Sequence, residues 1–82
     1  MNLNEIIKML VTLAAPFVKM GEPMAHSAIQ RAVTLPEKDV KKLASGMSAE
    51  DNEEALRLRT AMADAISDFV VFVSSRGSIK AD

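Results

Sequence analysis

The stretch LRLRTAMADAISDFVVFV, Leu56 to Val73, carries the longest hydrophobic pattern in the chain and decides the fold class. Leu58, Met62, Ala65, Phe69 and Phe72 step by four, three, four and three residues, which is a heptad-like seam. Ile66, Val70 and Val73 widen that seam to a broad stripe, while Arg57, Arg59, Asp64 and Asp68 mark a wetter side. Apolar residues at this period line one face of an α-helix. No run of alternating β-branched residues argues for a strand anywhere in the chain. The fold class is therefore all-α.

Upstream of the seam, Ser48 followed by Asp51 resembles a capping box. Glu50, Asp51, Glu53 and Glu54 then crowd the first turns, where negative charge complements the positive end of the helix dipole. The helix is expected from about Ser48 to Ser75, and the polar residues 78–82 are read as a flexible C-terminal tail to a single helical domain over 1–77. A helix that long spans about 42 Å. A compact monomer of this chain length has a diameter of roughly 30 Å. The helix must overhang, bend or pack against another chain. Phe69, Val70, Val71, Phe72 and Val73 cover almost its whole circumference at the C-terminal end, so that end needs more cover than one neighbouring helix supplies. Met62, Ile66, Phe69, Val70, Phe72 and Val73 are the expected self-association surface of a homodimer.

Three further helices are expected before it. The first runs from about Asn4 to Met20, with Asn2 or Asn4 as N-cap and Leu3, Ile6, Ile7, Leu10, Leu13, Ala14, Phe17 and Val18 at helical spacing. Met9, Val11 and Ala15 extend its apolar surface, which predicts cover on more than one face. Pro16 should kink its last turn, and Gly21 suits a left-handed cap. The second helix occupies Pro23 to Thr34, and the third opens at Pro36 and closes before Gly46. Pro36 disfavours the helical conformation at Leu35 and so sets the break between them. The expected architecture is a compact four-helix bundle. Its long first and last helices pack antiparallel, and the short second and third close one end as a helix-turn-helix-like pair.

That short pair raises a second functional reading. Leu35, Val40 and Leu43 have the spacing of the buried aliphatics in a DNA-reading helix-turn-helix, and Arg31, Lys38, Lys41 and Lys42 offer a basic face. Thr34 stands where the motif wants a turn glycine, and Gln30 where it wants a small residue. Glu37 and Asp39 dilute the lysines, leaving few net charges to neutralise phosphates. A face for a protein partner is the stronger expectation, with DNA the alternative.

Composition bounds the rest. The net charge is −1 over 82 residues, which gives no global attraction to nucleic acid or to an anionic membrane. The absence of cysteine removes disulfides and thiolate metal sites and fits a cytoplasmic protein. The run MLVTLAAPFV, Met9 to Val18, falls short of the ~20 apolar residues of a membrane span, and it is read as a buried helix, not a signal sequence. His26 is the only histidine, and Ser27 beside it points about 100° away on a helix, so the two form a poor base and nucleophile. EDNEE at 50–54 lacks the glycine and alternating oxygens of a calcium loop. No catalytic residue, cofactor or metal is expected. The expected function is non-enzymatic: a small regulator or inhibitor that docks on another protein.

Overall fold

The computed structural model describes residues 2–77, and among them every regular element is helical. The helices are α1 (Leu3–Val18), α2 (Glu22–Val33), α3 (Glu37–Leu43) and α4 (Ala49–Arg76). The tail expected over 78–82 lies outside the described residues. Asn2 is the N-cap of α1, its side-chain oxygen accepting from the Glu5 N–H at 2.9 Å. Ser48 caps α4 in the same way, accepting from the Asp51 N–H at 3.1 Å. Each cap satisfies a backbone donor that the first helical turn leaves without an internal partner.

The breaks on either side of α2 have different mechanisms. α1 continues through Pro16 and ends at Val18, where the Met20 and Gly21 N–H groups turn back to Phe17 and Val18 carbonyls in a tight three-residue closure. Gly21 does not serve as the expected left-handed cap. It is the N-cap of α2, with φ +130 and ψ 143, a backbone region that side chains other than glycine's hydrogen rarely enter. At the second break Thr34 is extended and Pro36 has φ −56 and ψ 143, so the backbone leaves the helical conformation on both sides of Leu35. The Arg59 guanidinium pins that break to α4 by donating to the Leu35 carbonyl at 3.1 Å.

The helix directions correct the expected architecture. α2 runs opposite to α4, because Glu22 approaches Arg76, His26 approaches Asp68 and Gln30 donates to Asp64 in descending order along α4. α1 instead runs in the same direction as α4. Leu3 and Ile7 share a groove with Ala65, Ile66 and Phe69, and the Ser74 hydroxyl donates to the Val11 carbonyl at 3.4 Å. The reason is parity: the short 19–21 turn folds α2 back on α1, and the chain returns through α3 to lay α4 along both. Three helices in up-down-up order put the first and last in the same sense.

The core lies between these three. Val11, Ala14, Ile29 and Val70 form its centre, with Ile7, Leu10, Val33, Ile66 and Val73 packed around them. Ala14, Ala25, Ala63 and Ser67 are also buried, and such small side chains let the helix backbones approach closely. Ser67 is the one buried polar residue among those described. Its hydroxyl donates to the Asp64 carbonyl one turn back at 3.0 Å, so its burial leaves no donor unsatisfied.

α2 therefore belongs to the core and does not close an end. α3 packs on α4 alone and makes no contact with α2. It seats Val40 and Ala44 on α4 and leaves Leu43 75% exposed. A helix-turn-helix needs its two helices in contact and all three aliphatics inside. Helix, break and second helix are present here; that packing is not.

Of the three alternatives for the long last helix, the structure of the chain shows the overhang. The molecule measures 44 × 27 × 15 Å, and the long dimension is close to the length of α4, about 42 Å. The radius of gyration is 14.7 Å, against about 12 Å for a compact chain of this length. The N-terminal half of α4 extends past the α1–α2 hairpin with only α3 beneath it.

Candidate functional site

α4 is apolar on two opposite sides. Ala63, Ser67, Val70 and Val71 face inward and are buried. Leu58, Met62, Ala65, Phe69 and Phe72 face outward and are exposed. The inward side packs on α1 and α2, whereas the outward residues stay exposed, with α3 flanking only Leu58 and Met62. The molecule is 15 Å in its thinnest dimension, which accommodates two helix layers with one core between them.

The six residues expected to self-associate are divided by this arrangement. Val70 is 0% exposed at the centre of the intramolecular core, so it is not a surface residue. Ile66 and Val73 are half-buried and pack against the same core. Met62, Phe69 and Phe72 point outward, the two phenylalanines 55% and 58% exposed. The Arg76 guanidinium lies 4.7 Å from the centre of the Phe72 ring, which is cation–π geometry at the C-terminal end of the seam.

Other helices extend the surface with residues that the periodicity of α4 alone does not indicate. Leu3 and Ile7 of α1 line a groove with Ala65 and Phe69. Leu35, Leu43 and Met47 line a second groove with Ala55, Leu58 and Met62, of about 300 Å³. Leu3 in the first groove and Leu43 and Met47 in the second are exposed. Only the fold brings them beside the seam. α1 is likewise covered on one face alone, since Met9 and Leu13 are exposed, contrary to the expectation of cover on several.

The basic residues are not gathered into one site. Arg31 sits on α2 beside Ser27, Gln30 and Thr34, while Lys38, Lys41 and Lys42 sit on α3. These two helices do not touch. Lys41 approaches Glu37 at 3.8 Å, one helical turn away, which offsets one of the four charges locally. Farther along, Arg57 donates to Glu54 on the solvent side of α4. That hydrogen bond holds the Glu54 carboxyl below its ordinary range and raises Arg57.

His26 is half-buried with its Nδ1 3.4 Å from an Asp68 oxygen, and Ser27 does not join that contact. Among the described residues no group of three His, Cys, Asp or Glu side chains is placed to hold a metal ion, and no helix is long and apolar enough to cross a membrane. The chain matches no protein-family model, no curated protein and no solved structure.

Proposed function

We propose that this protein is a non-enzymatic interaction module, a small regulator or inhibitor that docks on a partner protein and self-associates as a homodimer. The observation that carries the reading is the outward face of α4, where Leu58, Met62, Phe69 and Phe72 form an exposed apolar stripe on a rigid helix. Single exposed apolar residues are ordinary, but a contiguous stripe on a small protein marks an interaction site. The mildly basic face of α3, with Lys38, Lys41 and Lys42, stays free for a second protein. A cytoplasmic setting fits the cysteine-free composition.

Light scattering at micromolar concentration tests self-association. The wild-type protein should give the mass of a dimer, twice 8.9 kDa, and Phe72→Glu should give a monomer of unchanged helicity. A wild-type monomer mass would refute the homodimer. Retention of the wild type on DNA at low salt, lost in a Lys38/Lys41/Lys42→Ala triple variant, would replace protein docking with the DNA-binding reading.

A further inference from the structure

We propose that the partner on the outward face of α4 is α4 of a second copy, packed antiparallel about a two-fold axis between Ala63 and Asp64. This rests on the self-association reading above and assigns its geometry. Extended by two steps at its N-terminal end and one at its C-terminal end, the seam reads Asp51, Ala55, Leu58, Met62, Ala65, Phe69, Phe72 and Arg76, still at spacings of four and three. Turned end for end, the series fits itself. Ala55 meets Phe72 of the second copy, Leu58 meets Phe69, and Met62 meets Ala65. Large side chains oppose smaller ones in each layer, which is how facing helices interdigitate without voids. At the ends Asp51 meets Arg76, so opposite charges close the stripe on both sides.

The flanking positions agree. In this register Glu54 faces Ser75, Ala61 faces Asp68, and Arg59 faces Ile66, so no pair sets like charges together. A parallel pairing in register does the reverse. It stacks Phe69 and Phe72 on their own copies, leaves Ala55 and Ala65 opposite alanine, and sets Asp51 against Asp51 and Arg76 against Arg76. It also brings two clusters of Glu50, Asp51, Glu53 and Glu54 side by side, where both negative groups repel. Antiparallel pairing separates those clusters by the length of the helix and opposes the two helix dipoles.

The area is adequate for a stable dimer. With about 200 Å² for a large apolar side chain, the exposed parts of Leu3, Leu43, Leu58, Met62, Phe69 and Phe72 amount to about 700 Å². One partner of a standard interface contributes about 600–1,000 Å². Leu3 and Leu43 count because both grooves beside the seam are covered together. Ala65 and Phe69 oppose Met62 and Leu58, so the Leu3 groove of one copy lies over the Leu43 groove of the other.

The native chain has no cysteine, which makes thiol cross-linking a clean test. Asp51→Cys and Arg76→Cys chains are mixed, refolded together and treated with a short bismaleimide. The mixture should give a covalent dimer, and each variant alone should not, because identical positions lie about 38 Å apart along the paired helices. Ala55→Cys mixed with Phe72→Cys should behave in the same way and guards against a defect peculiar to the helix ends. Self-linking of Asp51→Cys alone would overturn the antiparallel arrangement in favour of a parallel one. A dimer by light scattering that cross-links in none of these combinations would overturn the register and leave self-association intact. A monomer by light scattering removes both.

Discussion

Gly21 shows how much a single residue decides here. It joins the closing turn of α1 to the first turn of α2, and its φ of +130 is open to glycine and strained for any side chain. The strain is conformational and not steric, since a Cβ there would meet nothing nearer than the Pro23 Cδ at 3.8 Å. Gly21→Ala is expected to lower stability by about 2 kcal/mol, read as a shift of the urea midpoint at unchanged m-value. Ser67 illustrates the opposite case: it is polar and buried, yet its own helix satisfies its hydroxyl, so it acts as a small packing residue. Arg59 is a third case. One of its nitrogens holds the Leu35 carbonyl, while its Nε is buried without a partner, so it stabilises the break before α3 at some desolvation cost.

At the scale of the element, α4 has two apolar faces with different roles. Val70 anchors the inner face in the core, and Phe72 sits on the outer face under solvent and the Arg76 guanidinium. Truncating each should separate the roles. Val70→Ala is expected to cost about 2 kcal/mol of folding stability through the cavity it leaves, without loss of the dimer. Phe72→Ala should weaken the dimer while leaving the stability of the monomer within about 0.5 kcal/mol of the wild type. Urea denaturation of dilute protein and sedimentation of concentrated protein measure the two effects. Equal effects on both measurements would show that the faces are not independent.

For the whole molecule, the decisive dimension is the thinnest. A body 15 Å thick holds one core, and the chain has more apolar helix surface than that core covers. A small domain with so little interior is of marginal stability on its own. Association should therefore contribute to folding, and the melting temperature should rise with protein concentration. A tenfold change in concentration that leaves the melting temperature fixed would remove association from the account of stability. Phe72→Glu should abolish any such dependence.

The local physics was legible in the residues. The proline at 36 set the second break, Asn2 and Ser48 set two helix starts, and the four-and-three spacing from Leu58 to Phe72 set both the existence of α4 and the surface it presents. These features depend on backbone chemistry and on neighbours within a turn or two, which the order of residues states directly. Val70 could not be distinguished from Phe69 and Phe72 in that way, because a broad stripe does not declare which of its edges meets another helix. The parallel sense of α1 and α4, the packing of α3 on α4 and away from α2, and the placing of Leu3 and Leu43 beside the seam were likewise decided only by the tertiary structure. Periodicity records how a helix alternates between wet and dry. It does not record which of two dry faces finds a partner within the chain; that depends on how many helices the chain has left to supply one.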